Sequence, residues 1–238
     1  MSCIVSNKLN DRSREYKSAQ PFPHLVIDDI IPEENAFQAL TEFPEVHDPL
    51  WELEGRKFSY SSVASKLEIS NIAAFPIALK GVVEFFNSPD FVKELRQLTG
   101  FDDLQADPAL LGGGLNCVPS GGKLKIHADF NFNNDLQAYR TVNLIYYLNS
   151  EWQEHFGGNL ELWDRHGKSC QKVILPLFNR AVIFNTNSES FHGYHEVTTK
   201  ATTARKSVNI YYYSKVARIG VHEQPHKTIW LDEKNGRK

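Results

Sequence analysis

Thr141-Val142-Asn143-Leu144-Ile145-Tyr146-Tyr147-Leu148 is a run of mostly β-branched, aromatic and aliphatic residues, a composition typical of a β-strand. Similar short runs lie on both sides of it, separated by Gly, Asn, Asp and Pro. They extend from Leu110 to Val118, Lys123 to His127, Asn159 to Trp163, Lys172 to Leu175, Ala181 to Phe184 and Arg205 to Tyr213. About seven or eight short strands with little helix between them predict a sandwich or jelly roll rather than a parallel α/β sheet.

The region before residue 105 has a different pattern. A short β-rich run covers residues 23–29, and helices are predicted from Pro32 to Phe43, from Ile77 to Phe86, and from a Ser88 cap to Gly100. Residues 1–20 are polar and predicted to be loosely held, and residues 46–70 are predicted to be rich in loops.

The sequence contains no linker that would separate these two regions, so a single domain spanning residues 1–238 is predicted. Residues 1–104 would supply a strand and helices that buttress the β core. Residues 105–216 would form that core, and residues 217–238 would form a polar, basic C-terminal tail.

Composition restricts the class of protein. With 41% hydrophobic and 12% aromatic residues, the 238-residue chain can bury a substantial core. A net charge of -3 gives no electrostatic reason to expect a nucleic-acid or membrane partner. The odd number and scattered positions of Cys3, Cys117 and Cys170 favour reduced thiols. Since no apolar run reaches membrane length, we expect a soluble, cytoplasmic protein.

The triplet His127-Ala128-Asp129 carries the first chemical signal. Positions two apart on an extended strand point to the same face, so His127 and Asp129 would project together. An imidazole and a carboxylate are two parts of the 2-His-1-carboxylate face that binds non-heme Fe(II). The missing histidine could be His192 or His195, and spacing alone allows both.

The span from about Gly112 to Ser214 resembles the prolyl-hydroxylase-type branch of the Fe(II)- and 2-oxoglutarate-dependent dioxygenases. Several blocks carry this resemblance, and their joint order is far more specific than any single block. They are His127-Ala128-Asp129, Arg140 to Asn149 followed by Trp152 and Gly157-Gly158-Asn159-Leu160, Asn179 to Phe184, Phe191-His192-Gly193 with Val197, and Arg205 to Tyr213.

The resemblance implies a double-stranded β-helix, a cupin-like jelly roll, with N-terminal helices. It also implies that His127, Asp129 and His192 bind Fe(II) and leave coordination positions for 2-oxoglutarate and O2. Ascorbate is expected as a possible reductant.

Four further residues are implied to bind the cosubstrate. Arg205 would pair with the distal carboxylate of 2-oxoglutarate, because a guanidinium can donate two parallel hydrogen bonds. Ser207 lies two residues on, and hence on the same strand face. Tyr147 matches the position whose hydroxyl meets the same carboxylate. Asn143 shares a strand face with Tyr147 and would line the cosubstrate pocket.

The chain also departs from this family pattern. Arg205 is 13 residues past His192 and 10 past His195, so the distal segment is longer than in the oxygen-sensing enzymes. Alignment on His-Glu-Val would select His195 as the ligand, whereas alignment on Phe-His-Gly selects His192, which we favour. No tyrosine before the His-x-Asp matches the one that contacts the cosubstrate in those enzymes, and Cys117 falls near its place.

By analogy with the family, we expect hydroxylation of an unactivated C–H bond, because related halogenases lack the carboxylate ligand that Asp129 supplies. The expected substrate is a prolyl residue of a peptide or an amino-acid-like small molecule, with specificity loops at residues 46–70 and 131–139. One alternative is a jelly-roll enzyme that does not use 2-oxoglutarate, such as a zinc hydrolase. Another is a non-catalytic binding module on the same barrel.

Overall fold

A computed structural model describes residues 9, 11–215, 224–232 and 236–237 of the chain. The α-helices are α1 (Ser13–Ser18), α2 (Glu33–Thr41), α3 (Leu50–Leu53), α4 (Ile77–Phe86) and α5 (Pro89–Thr99). The strands are β1 (His24–Ile27), β2 (Arg56–Tyr60), β3 (Val63–Ile69), β4 (Gln105–Ala106), β5 (Gly114–Val118), β6 (Lys123–Ala128), β7 (Phe132–Asn133), β8 (Ala138–Tyr147), β9 (Leu160–Trp163), β10 (Cys170–Ile174), β11 (Arg180–Asn185), β12 (His192–Tyr194), β13 (Arg205–Ser214), β14 (Ile229–Asp232) and β15 (Gly236–Arg237).

The strands form an antiparallel sheet whose main path is β1-β11-β8-β13-β5-β3-β6-β12-β9-β10. β8 contains most of the run quoted first, and it is almost fully buried between β11 and β13. Its burial on both faces explains why the run is apolar without alternation. The Phe184 ring on β11 lies 4.9 Å from the His192 ring on β12, although six positions in the strand order separate β11 from β12. The sheet therefore curls into the jelly roll predicted from the sequence.

Helices α4 and α5 cover one face of β8 and β13. The Phe86 ring contacts the Tyr146 ring at 5.4 Å, and the Tyr212 hydroxyl donates a hydrogen bond to the Phe86 carbonyl oxygen at 2.8 Å. Because neighbouring residues on a strand point to opposite faces, Tyr147 and Tyr211 project into the barrel interior. The helices thus fix which face of these two strands forms the site.

The predicted limits of α4 and α5 are confirmed. α4 has the predicted bounds, and α5 begins after Ser88, whose Oγ accepts a hydrogen bond from the Phe91 N–H at 3.3 Å. α5 ends at Gly100, whose φ of +83° suits a residue without a side chain.

The prediction of a loop-rich section at residues 46–70 is wrong. The section contains α3 and a hairpin of β2 and β3, and β3 pairs with both β5 and β6. The hairpin lacks clear apolar alternation because Lys66 and Glu68 turn toward a polar cavity instead of an apolar core. A strand with a polar interior face does not show the pattern on which strand prediction depends.

The N-terminal segment is also more ordered than predicted. Ser13–Ser18 forms α1, and its Tyr16 side chain is fully buried. The Tyr16 hydroxyl donates a hydrogen bond to Asn185 at the end of β11. Residues 1–8 and 10, including Cys3, lie outside the described residues, whereas Cys117 and Cys170 are free thiols as predicted.

Part of the predicted tail joins the sheet. β14 pairs with the end of β6, with Ile229 opposite Ala128 and Trp230 opposite His127. Residues 216–223, 233–235 and 238 lie outside the described part of the chain. Among the helices that the structure describes, none has both the length and the apolar character required to cross a bilayer.

Candidate iron and cosubstrate site

His127, Asp129 and His192 meet at one point of the barrel, although His127 and His192 are far apart in sequence. His127 on β6 is the direct cross-strand partner of His192 on β12, and their ring centroids are 4.6 Å apart. The Asp129 carboxylate oxygens lie 3.3 Å from His127 Nε2 and 3.4 Å from His192 Nε2. One possible ligand atom from each residue therefore lies within 4.8 Å of the other two.

The hydrogen bonds of the two histidines orient them for a metal. His127 Nδ1 lies 2.8 Å from the Lys125 carbonyl oxygen, and His192 Nδ1 lies 2.9 Å from the Ser190 carbonyl oxygen. A carbonyl oxygen accepts only, so each Nδ1 carries the proton and each Nε2 presents a lone pair toward Asp129. Burial also lowers the pKa of His127, which favours the neutral form that binds a metal.

Asp129 is held as a carboxylate. Its burial alone would raise its pKa, but the positive charge of Arg140 and the interactions with His192 and His127 outweigh that effect and keep the pKa well below its usual range. Two neutral imidazoles and one anionic carboxylate are the donors that suit non-heme Fe(II). The residues present thus fit the predicted metal.

His195 does not belong to this group. Its side chain is 77% exposed, and its Nε2 lies 3.3 Å from the Glu161 Oε1 instead of the Asp129 carboxylate. The structure therefore groups His192, and not His195, with His127 and Asp129.

Asp129 is fixed by two residues of β8. Arg140 Nη2 donates to Asp129 Oδ2 at 2.7 Å, and Asn143 Nδ2 donates to the same oxygen at 2.9 Å. Arg140 Nε also donates to Asn143 Oδ1 at 2.8 Å, which links the two donors. The guanidinium lies 3.3 Å from the centroid of the Tyr211 ring. These contacts leave the Asp129 carboxylate little rotational freedom.

Arg140 was not among the site residues predicted from the sequence, because a β-bulge determines where its side chain points. Tyr212 pairs with Val142, but Tyr213 pairs with Arg140, so Thr141 has no partner on β13. This extra residue brings Arg140 and Asn143 to the same side although they are three positions apart. Alternation with a period of two would place them on opposite faces.

We expect Arg140→Met to raise the dissociation constant for Fe(II) about 10- to 100-fold, because residues that hold a metal ligand in place have effects of this size. Anaerobic calorimetric titration with Fe(II) measures it. Arg140→Lys should recover part of the affinity, since an ammonium can still pair with Asp129. Arg180→Met is the matched control, because Arg180 makes a similar two-point contact with Asp28 on the surface. A folded Arg140→Met variant with native Fe(II) affinity would contradict this positioning role.

Arg205 provides a buried positive charge in the same cavity. Only 3% of the residue is exposed. Its Nε donates to the Gly158 carbonyl oxygen at 2.7 Å, and its Nη2 donates to the Tyr147 hydroxyl at 3.1 Å. Its guanidinium also lies 4.2 Å from the centroid of the Tyr194 ring. Within the described residues, no carboxylate lies at ion-pair distance from it.

A buried cation without an acidic partner is costly unless an anion binds beside it. The chemistry of this position therefore fits the far carboxylate of 2-oxoglutarate, as the sequence predicted for Arg205. Ser207 lies in the same cavity, where its Oγ donates to Asn209 Oδ1 at 3.1 Å. Tyr147 lies behind Arg205 and contacts the guanidinium with its hydroxyl. The predicted contact between Tyr147 and the carboxylate stays a prediction.

The triad, Arg205, Ser207 and Asn143 all line one cavity of about 460 Å³. The β2–β3 hairpin supplies another wall, where Lys66 Nζ lies 2.6 Å from Glu68 Oε2. Asn116 also lines the cavity, and its buried Oδ1 has no hydrogen-bond partner in the described part of the chain. This wall therefore combines a charged pair with a buried acceptor that has no partner among the described residues. The hairpin lies within the predicted specificity region 46–70, and Phe132 brings the region 131–139 to the cavity.

The C-terminal strand forms a wall that sequence reasoning missed. The Trp230 ring lies 4.9 Å from the His127 ring, and Trp230 lines the cavity. Asn131 anchors the preceding residues, because its Nδ2 donates to the Gln224 carbonyl oxygen at 3.1 Å and its Oδ1 accepts from the His226 N–H at 2.7 Å. Trp230 is a large aromatic residue in an otherwise polar tail, and this was the sequence feature that could have indicated a buried contact.

Comparison with known proteins agrees with this geometry. Residues 113–213, which hold the triad and Arg205, match the family described as the 2OG-Fe(II) oxygenase superfamily. The match assigns this part of the chain, which holds most of the β core, to the superfamily. The matched region and the triad together indicate 2-oxoglutarate-dependent oxygenase chemistry with Fe(II) as the metal.

Individual relatives are more distant. The chain is 32% identical over 78 residues to mouse prolyl 3-hydroxylase OGFOD1, a match that covers 31% of this chain and 14% of that protein. Its structure is similar to a prolyl-4-hydroxylase from Pseudomonas putida, with a TM-score of 0.60, 16% identity, and 89% of this chain and 99% of that chain covered. A prolyl hydroxylase from Trichoplax adhaerens, in complex with a hypoxia inducible factor peptide fragment, gives a TM-score of 0.57 at 17% identity, with 90% and 89% covered. At sequence identities of 16% and 17%, the similarity to these two structures shows the fold alone.

Proposed function

We propose that this oxygenase hydroxylates a C–H bond of a prolyl residue in a peptide. The observation that carries the use of 2-oxoglutarate is the buried Arg205, which shares a cavity with the triad and has no carboxylate partner among the described residues. Support for a prolyl substrate comes from the names of the mouse relative and of the two similar structures.

The residues of the chain have separate tasks in this proposal. When bound, Fe(II) with 2-oxoglutarate and O2 supplies the oxidising power for attack on an unactivated C–H bond. His127, Asp129 and His192 would hold the metal and leave its remaining positions to the cosubstrate and O2. Arg140 and Asn143 keep the Asp129 carboxylate in place, and Arg205 would bind the far carboxylate of 2-oxoglutarate.

The substrate would enter beside the β2–β3 hairpin. Phe58 from the hairpin and Trp230 from β14 line the cavity and provide apolar surface against a pyrrolidine ring. Lys66 and Glu68 on the same wall provide charged groups that can contact the polar backbone of a peptide. The alternative of a zinc hydrolase gives Arg205 no task, and a binding module would not need an intact triad.

Two measurements test this proposal in order. Anaerobic addition of Fe(II) and 2-oxoglutarate should produce a weak visible absorption band from metal-to-ligand charge transfer. Addition of O2 and a proline-containing peptide should then release succinate and add one oxygen atom to the proline, located by tandem mass spectrometry. The same peptide with alanine in place of proline is the control.

These measurements test the use of 2-oxoglutarate and the identity of the substrate separately. No band in a protein with confirmed metal loading would contradict the role of 2-oxoglutarate. A band accompanied by succinate release with free amino acids, and by none with any peptide, would overturn the peptidyl-proline substrate while leaving the oxygenase assignment intact.

A further inference from the structure

A second cleft lies beside β6, next to the iron cavity. Its volume is about 520 Å³. The lining residues come from β6, from β9 and the turn after it, from β12 and from β14, and they include Lys123, Leu124, Lys125, Ile126, Trp163 and Lys168. None of these residues has a task in the proposed reaction.

The cleft adjoins the iron cavity. Leu124 and Tyr194 line both spaces. Trp230 lines the iron cavity and its neighbour Leu231 lines the cleft, so β14 forms part of the boundary between them. Leu124 and Tyr194 therefore lie between the two spaces, and a peptide that extends beyond the iron cavity on this side would meet the cleft.

The charge of the cleft is opposite in sign to that of the whole chain. The chain has a net charge of -3, yet Lys123, Lys125 and Lys168 line the cleft and no Asp or Glu is among its described lining residues. None of the three lysines forms an ion pair with a carboxylate in the part of the chain that the structure describes. Three like charges around one concave surface create a positive potential that attracts anions.

Two carboxylates of β9 and of the turn after it are already engaged. Asp164 Oδ1 accepts from the His166 N–H at 2.8 Å, and its Oδ2 accepts from the Ser169 N–H at 2.7 Å. Glu161 Oε2 accepts from Trp163 Nε1 at 2.9 Å, while His195 faces its other oxygen. These carboxylates stabilise the turn and the strand, so the charge of the lysines remains available to a ligand.

The turn that carries Lys168 is held in a fixed position. Asp164 accepts hydrogen bonds from several backbone N–H groups of the turn, including that of Lys168 at 3.2 Å. Gly167 has a φ of +66°, and a Cβ there would lie 2.3 Å from the Leu231 side chain. The turn thus packs closely against β14, and the cleft exists before any ligand binds.

We propose that this cleft binds an acidic segment of the polypeptide whose target residue enters the iron cavity, an inference that rests on the proposed function. Charge complementarity selects carboxylates, and the spread of the lysines from β6 to the β9–β10 turn favours several of them over a single small anion. The apolar surface of Leu124, Ile126 and Trp163 between the charges suits the backbone and aliphatic parts of a peptide.

Fluorescence anisotropy with the full chain, Fe(II) and 2-oxoglutarate under anaerobic conditions tests binding without turnover. Two labelled peptides share a central proline and differ only in flanking Glu and Asp residues, which are replaced by Gln and Asn in the second. We expect the acidic peptide to bind about 10-fold more tightly at low salt, with a smaller difference at high salt. The double variant Lys123→Gln/Lys168→Gln should remove the difference, whereas the surface control Lys93→Gln/Lys172→Gln should keep it.

The possible binding results either support or overturn the acidic-peptide site. Equal affinity for the two peptides would overturn the proposal, and so would a preference that persists in Lys123→Gln/Lys168→Gln. Tight binding of an oligonucleotide through the same lysines, with no preference for the acidic peptide, would overturn it in favour of a nucleic-acid site. If the preference depends on these lysines but the protein hydroxylates neither peptide, the acidic-peptide site in the cleft is supported. Only the proposal of peptidyl-proline hydroxylation is then contradicted.

Discussion

Replacement of His192 by alanine is expected to reduce succinate formation at least about 10³-fold, which corresponds to about 4 kcal/mol. His192 supplies one of only two imidazoles in the triad, and its Nε2 lies 3.4 Å from Asp129 Oδ2. With one neutral donor removed, His127 and Asp129 cannot form the three-ligand face that holds Fe(II). Measurement of Fe(II) affinity and succinate release, together with far-UV circular dichroism as a measure of folding, distinguishes loss of the metal from loss of the fold.

His195→Ala is the matched control, because it removes an imidazole from the same segment of the chain. Its side chain is exposed and faces Glu161, so we expect Fe(II) affinity to stay within about twofold of the native value. Loss of Fe(II) binding in His195→Ala, with retention in His192→Ala, would show that the wrong histidine had been chosen as the ligand.

Much of the β core was predictable because its strands are buried on both faces. The run from Thr141 to Leu148 lies almost entirely within β8, and the helices α4 and α5 begin and end close to the predicted residues. The β2–β3 hairpin was missed because its inward side chains, among them Lys66 and Glu68, face a polar cavity. Sequence patterns detect apolar interiors, and a functional cavity does not have one.

The residues of the candidate site also differ in whether the sequence could predict them. The pair His127 and Asp129 followed from the alternation of side chains on a strand, and the resemblance selected His192. Arg140 required knowledge of the bulge at Thr141, which no local pattern indicates. Trp230 required the pairing of β14 with β6, a contact between segments about a hundred residues apart, and single-sequence reasoning has no rule for such pairings.

The two buried arginines of the cavity differ in how their charges are compensated. Arg140 is paired with Asp129, so its charge is neutralised before any ligand binds. Arg205 contacts only a backbone carbonyl oxygen, the Tyr147 hydroxyl and aromatic faces. An anionic ligand is therefore drawn to the Arg205 end of the cavity, which leaves the triad end free for the metal.

Arg205→Ala is expected to raise the KM for 2-oxoglutarate about 100-fold or more, because the loss of one partner of a buried charge pair costs about 2–5 kcal/mol. The rate at saturating 2-oxoglutarate should fall much less, since Arg205 is separate from the metal ligands. Steady-state succinate release over a range of 2-oxoglutarate concentrations measures both quantities. Arg205→Lys should recover part of the loss, because it keeps the charge but not the paired donors of a guanidinium.

Lys206 provides the control for position, since it follows Arg205 on β13 but points to the opposite face, where its Nζ lies 2.6 Å from Glu45 Oε1. Lys206→Met should leave the KM for 2-oxoglutarate unchanged even if it lowers stability. A 2-oxo acid that lacks the distal carboxylate completes a thermodynamic cycle. The native enzyme should use this compound poorly, whereas Arg205→Ala should have a similar KM for it and for 2-oxoglutarate. Retention of the native preference in a folded Arg205→Ala variant would show that the distal carboxylate binds elsewhere.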